Sequence, residues 1–292
     1  MDWLMWVLAL FFMTLGIGIV APIAGVGGGV LFTPLTMAFY PFSTDFIRGA
    51  GLVMAMTSAL SSAPHFAKKG LANLRILAPV VIVSIIFSIL GGIIGLWVTN
   101  AFPQGKSYIK IGLGLILFVV FLVYLFSKRV EFPQIAHIDP ISEKLDIHGM
   151  WYEPSLNKVV EYRTTNLLYA LPAFAGVGFI AGMFGLGAGW ANVPVLNLVM
   201  GAPLKVATST SMMIITINDA AACWVYMARG AMLALIIVPS VLGITIGARI
   251  GARIAVKSRP KSIKYLVMAI MLFAAIMDIW KGLHGLGLAP PI

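Results

Sequence analysis

Two stretches of the chain, 160 positions apart, spell nearly the same pattern: Gly25-Val-Gly27-Gly28-Gly29-Val-Leu-Phe-Thr33-Pro34 and Gly185-Leu-Gly187-Ala-Gly189-Trp-Ala-Asn192-Val-Pro194. Both lie in strongly apolar surroundings, where a glycine run followed by proline interrupts a helix. The register continues without a gap on either side. Gly16, Gly18 and Ala21 fall on Gly176, Gly178 and Ala181, and Gly70, Ile76, Pro79 and Val81 fall on Gly230, Ile236, Pro239 and Val241. The matches favour residues that set backbone shape, so the duplicated object is a folding unit. A duplicated broken helix in an apolar chain is the sequence pointer to a transporter's binding site.

Hydrophobic residues make up 60% of the chain and charged ones 10%, with a mean hydropathy of +1.00. A water-soluble domain of this length has no interior large enough for that much apolar surface. Runs such as 76–98 and 109–126 reach the ~20 residues of a spanning helix. The expected class is an all-α polytopic membrane protein. The first segment carries no Lys or Arg before Arg48, so it reads as a membrane segment and not as a signal peptide. The single cysteine, Cys223, permits neither an intramolecular disulfide nor a cysteine-built metal site, and reads as a small buried hydrophobe.

The apolar segments run at about 3–23, 28–42, 46–66, 76–98 and 108–127, then at 166–184, 187–200, 206–227, 232–255 and 264–283. Segments 28–42 and 187–200 are short and glycine-broken and either span or re-enter, which gives eight to ten segments in all. The net charge of +10 is carried by clusters at Lys68, Lys69 and Arg75, at Lys128 and Arg129, and from Arg249 to Lys264. With the N-terminus outside and the short segments counted as crossings, all three clusters face the cytoplasm, as the positive-inside bias requires. An odd number of crossings per copy makes the copies inverted repeats. The expected division is a first transmembrane repeat over 1–126, a cytoplasmic insertion over 127–165 and a second repeat over 166–292. The insertion holds six of the ten acidic residues, and its pattern from Leu145 to Arg163 predicts a small β-hairpin. His137 and His148 match no metal-ligand spacing, so a solvated loop is expected there.

Glycines at Gly25, Gly27, Gly28 and Gly29, and at Gly185, Gly187 and Gly189, let a ligand approach the main chain. Helices restarting near Val30 and Trp190 would aim free N–H groups at the protein centre, which suits a small anion. Thr33 and Asn192 add side-chain hydrogen bonds to the same candidate site. The competing reading is that the glycines serve only close packing of short helices.

The following segment of each copy is unusually polar. The first has Thr57, Ser58, Ser61 and Ser62, with His65 near its end; the second has Thr208, Ser209, Thr210, Ser211, Thr216, Asn218 and Asp219. Thr208, Ser211 and Asn218 share roughly one helical face, although a lone Ser or Thr can satisfy itself on the carbonyl one turn back. Asp219 stands out, because a carboxylate at mid-membrane costs about 2.5–3.5 kcal/mol on insertion scales. It is the candidate for proton coupling, with an ion pair to Lys205 or Arg229, or a hydrogen bond that merely fixes packing, as the structural alternative. Asp278, beside Trp280 and Lys281, is expected at the interface, and so is His65. Arg48 and Lys205 each open the segment after a broken helix and are the nearest cations to draw an anion in; both read equally well as snorkelling residues.

Other motifs carry less. Gly16-Ile-Gly18-Ile-Val-Ala21 fits a dinucleotide fingerprint in letters but lacks the strand and the acidic residue its mechanism needs. Gly91/Gly95, Gly243/Gly247 and Gly247/Gly251 have the spacing that lets helices approach closely and are assigned to packing. No Walker loop, zinc signature or nucleophile elbow is present, so no enzyme, cofactor or metal is expected, and flux would draw on ion gradients or run passively.

The paired motifs Gly25–Pro34 and Gly185–Pro194, the Lys69-Gly70 and Arg229-Gly230 pairs and the basic loop after Arg249 resemble the TauE/SafE family of sulfite exporters and organosulfonate permeases. The resemblance covers both repeats. It implies an inner-membrane, proton-coupled secondary carrier of sulfite or an organosulfonate such as sulfoacetate, working by alternating access, usually outward. An anion channel on the same scaffold and a membrane-embedded enzyme are the alternatives. The partners implied are a small anion, protons and the lipid bilayer, with no nucleic acid and a homodimer left open.

Overall fold

The glycines expected to serve packing sit where helices meet. The structure, a computed structural model, describes residues 3–24, 26–126, 131, 133, 135, 138–153, 157–257 and 261–290. In the first half the helices are α1 (Trp3–Ala24), α2 (Gly29–Phe39), α3 (Thr44–Ala67), α4 (Leu74–Ala101) and α5 (Gly105–Phe126). The insertion forms the short α6 (Pro140–Lys144) and strands β1 (His148–Glu153) and β2 (Lys158–Arg163). The second half has α7 (Leu167–Phe184), α8 (Gly189–Pro194), α9 (Leu204–Ala228), α10 (Ala234–Lys257) and α11 (Lys261–Gly285), with α8 continuing as a π turn over Val195–Val199. Among the described residues eight helices are long and apolar enough to cross a membrane, and α2 is a shorter apolar one. The chain is an all-α polytopic membrane protein.

The two halves interlock through matched contacts. Gly18 of α1 packs on Ile244 and Ala248 of α10, and its counterpart Gly178 of α7 packs on Ser84 of α4. Gly91 of α4 meets Phe179 of α7, and its counterpart Gly251 of α10 meets Ile19 of α1. Each contact thus recurs with the halves exchanged. Phe11, Leu15 and Ile19 of α1 lie against Gly243, Gly247 and Gly251 in turn, so α1 and α10 run parallel. The equivalent helices α3 and α9 run in opposite directions. Gly49 near the start of α3 meets Tyr226 at the end of α9 and Ala231 just beyond it, whereas Gly27 bridges Ala55 and Ile215 near the middles of the two helices.

The interrupted helix α2 has eleven residues, about 16 Å of rise against a hydrocarbon core of about 30 Å. It starts against Met54 and Ser58, in the middle of α3. It ends at Tyr40, whose ring lies 5.1 Å from that of Trp6 near the start of α1. So α2 returns the chain to the face from which α1 set out. The second half repeats this: Asn166, just before α7, donates to the Val199 carbonyl at the end of the π turn (3.2 Å). From there α3 crosses, and α4 crosses back, ending where the Thr99 hydroxyl donates to Asp45 at the start of α3 (3.2 Å). Lys68, Lys69, Arg75 and Arg253 consequently lie towards one face, opposite Trp6 and Tyr40.

The insertion sits on that basic face. Its strands pair antiparallel, with His148 opposite Arg163 and Glu153 opposite Lys158. Asn73 caps α4 by accepting from the Arg75 and Ile76 amides (2.9 and 3.2 Å) and donates to the Tyr162 hydroxyl of β2 (2.9 Å). Arg75 pairs with Asp146 (2.6 Å), which also meets His148 (2.7 Å). Slight burial opposes it, yet the hydrogen bond and charge of His148, then of Arg75, hold the Asp146 carboxyl below its usual range. This contact therefore stabilises the docked hairpin above the usual carboxylate range and is lost as the pH falls through the lowered value.

A stronger tie is Lys205 at the start of α9, whose ammonium bonds both oxygens of Glu153 (2.8 and 2.9 Å), a carboxylate only 1% exposed. Lys205→Met removes the cation from that buried carboxylate. With Lys205 itself 30% exposed, the expected loss is about 2 kcal/mol, less than a fully buried pair gives. It is read as a lower melting temperature and faster proteolysis in the insertion, and Glu153→Gln in the same background recovers most of it.

Candidate functional site

The two glycine breaks meet at the centre of the molecule. Gly29 lies against the Leu186 carbonyl, and its counterpart Gly189 lies against Val26 and the amide of Gly27. Ala55 of α3 touches Gly27, Gly29 and Gly187 together. Backbones this close leave no room for a Cβ, so glycine is required on steric grounds. At Gly185 and Gly187 it is required twice, because φ is +68° and +74°. Gly185 also ends α7 in the left-handed cap geometry, with its N–H on the Ala181 carbonyl (3.0 Å). Gly25 lies outside the described residues.

Around this crossing point several buried polar atoms have no hydrogen-bond partner. They are the hydroxyls of Ser58 and Ser211, both ends of the Asn192 amide, the amide oxygen of Asn218, one carboxylate oxygen of Asp219 and the indole N–H of Trp190. Ser58, Asn192, Ser211, Asn218 and Asp219 are fully buried. Ser58 packs on Gly28 at the start of α2. Ser211, Ile215, Asn218 and Asp219 follow helical spacing on the side of α9 that faces the breaks. The Asp219 carboxylate lies beside Gly187, receives the Asn218 amide (2.9 Å) and faces the Ala188 N–H. Native interiors pair most of their buried polar groups, so these atoms make the crossing point the candidate site.

The other expected members have different posts. Thr33 donates to the Gly185 carbonyl (2.6 Å) and ties α2 to the end of α7. Thr57 and Thr208 are half-buried, and Thr208 lies one turn nearer the basic face than Ser211. Lys205 is held by Glu153 as described. Arg48 is fully buried, pairing with Asp45 (2.5 Å), donating to the Met183 carbonyl (2.7 Å) and lying 5.5 Å from the Tyr226 ring centroid. Its guanidinium braces α3 against α4, α7 and α9. Among the described residues Asp219 makes no ion pair, with Lys205 or Arg229 or any other cation. Asp278, expected at the interface, is fully buried, because α5 and α11 pack across Gly114 and Gly282 and enclose it. Cys223 is half-buried. Among the described residues no cluster of His, Cys, Asp and Glu could hold a metal.

Sequence reasoning missed Trp190 as a donor. The signal was an aromatic N–H inside the duplicated motif, where the first copy has the smaller Val30.

What the centre offers is neutral donors and one carboxyl group, fed by interrupted helices from both halves. The profile of the sulfite exporter TauE/SafE family matches residues 10–277, nearly the whole chain. The chain belongs to the TauE/SafE family. It is 25% identical over 273 residues to the probable membrane transporter protein YunE of Bacillus subtilis, covering 91% of this chain and 94% of that one. It is 24% identical over 208 residues to the probable membrane transporter protein MJ0441 of Methanocaldococcus jannaschii, covering 70% and 66%. No solved structure matches it. Membership of TauE/SafE makes this a membrane transporter, and both relatives carry transporter names.

Proposed function

We propose that the protein is a secondary transporter that moves a small sulfur oxyanion, sulfite or an organosulfonate, across the cytoplasmic membrane together with a proton. The reading is carried by one observation: unpartnered donors and a lone carboxyl group gather where two interrupted helices meet. The hydroxyls of Ser58 and Ser211, the Asn192 amide and the Trp190 N–H suit sulfonate or sulfite oxygens. An anion cannot join an ionised Asp219 in so apolar a site without strong like-charge repulsion, so the two fit together only when Asp219 carries a proton. A monovalent sulfur anion and its proton then travel as one neutral load. For an end product made inside the cell, that load runs outward down its own gradient. The halves, exchanged about an axis in the membrane plane, act as inverted repeats that open the site alternately to each side. The basic face with its docked insertion is the cytoplasmic one.

The substrate class is tested by the melting temperature of the purified protein against sulfite, sulfoacetate, isethionate, sulfate and acetate. One sulfur anion is expected to stabilise the protein by about 2.7 kcal/mol at a hundred times its Kd. Asn192→Leu and Ser58→Ala should abolish the shift. A shift with acetate alone, or one untouched by both substitutions, would sink the assignment.

A further inference from the structure

Asp278 takes no part in the site described above, yet it is fully buried in α11 with neither carboxylate oxygen hydrogen-bonded. The charges facing it come from two helices: Lys110 of α5 and Lys281, one turn further along α11. Lys106 stands behind Lys110. Of the other helices packed on α11, α2 ends at Tyr40 and α1 has no ionisable side chain. Among the described residues neither lysine is in ion-pair contact with Asp278.

Lys281 is engaged elsewhere. Its ammonium donates to the Ala38 and Met37 carbonyls (2.6 and 3.3 Å), the free carbonyl end of α2. A cation there caps the helix and meets the negative end of its dipole. Asp278 and Lys281 are three residues apart on one helix, within reach of each other. The carboxylate and the α2 carbonyls therefore compete for one ammonium.

We infer that Asp278 is a second proton-binding site, and that its charge decides whether Lys281 caps α2 or turns back to pair with Asp278. When Asp278 is protonated, Lys281 has no rival for the α2 carbonyls and the last turn of α2 is held. When Asp278 is ionised, it draws the ammonium away and that turn loosens. The start of α2 forms the central crossing, so a proton at Asp278 acts on the position of a helix that lines it. The contact lies on the face opposite the basic insertion, and pH on that side sets its state.

Hydrogen–deuterium exchange of the last turn of α2, residues 36–40, reads this without any substrate and so independently of what is carried. After correction for intrinsic exchange, the wild-type protein should exchange this turn about threefold more slowly at acid than at alkaline pH. Asp278→Asn should exchange slowly at both, and Lys281→Met rapidly at both. A pH difference that survives Asp278→Asn overturns the inference, and so does its absence from the wild type. If Asp278→Asn does not fold, Lys281→Met decides alone: a pH difference that persists in it refutes the switch.

Discussion

Replacing Asp219 by Asn ends the ability of a proton gradient to concentrate the anion, and leaves the protein folded. With one proton carried per monovalent anion, a gradient of one pH unit corresponds to about 1.4 kcal/mol, hence about tenfold accumulation in wild-type proteoliposomes. The Asn variant should reach a ratio of about one whatever the gradient, because its amide takes up no proton. Asparagine keeps the size of the side chain and can still receive the Asn218 amide (2.9 Å in the native protein), so folding and downhill exchange are retained. The comparison separates coupling from structure. A variant that still accumulates anion in proportion to the gradient would place the proton elsewhere. A variant that fails to fold would make Asp219 a packing residue.

The largest effect on stability is expected at Gly187. Its φ of +74° costs about 1–2 kcal/mol for a residue with a side chain. An added methyl group would also stand 2.5 Å from the Ala55 Cβ and 2.7 Å from the Asp219 carboxylate, a clash that overpacks the centre by about 1–3 kcal/mol. Gly187→Ala should therefore lower the melting temperature sharply and abolish anion binding. Gly176→Ala is the control: its methyl group meets nothing within 4 Å, and a helical alanine is mildly favourable. Equal behaviour of the two variants would mean that the central glycines have no special role.

Much of this arrangement was legible because it is written in glycine and proline. The pairs Gly18/Gly178 and Gly91/Gly251 recur at one offset in sequence, and in space they make the same contact with the halves exchanged. Asp219 was legible for the same kind of reason, a charge standing alone in an apolar helix. What escaped depends on partners distant in sequence. Lys205 reads as a cation near the anion site, yet it is held by Glu153, 52 residues before it, because the insertion folds back on the start of α9. Arg48 reads likewise, but Asp45 and the ends of α4 and α7 enclose it. Asp278 reads as interfacial because Trp280 and Lys281 adjoin it; its burial is set by the packing of α5 on α11, which no local pattern reveals. The length of α2 was also hidden, since an apolar run of fifteen residues over 28–42 contains an eleven-residue helix and a turn.

Coupled transport at the central crossing is tested most directly by uptake of radiolabelled sulfite and sulfoacetate into proteoliposomes, with and without a pH gradient, followed by counterflow against unlabelled anion. Saturable uptake that rises with the gradient and exchanges with unlabelled anion is the expected result. Flux that grows linearly with concentration and ignores the gradient, or no flux of either anion through folded protein, would contradict it.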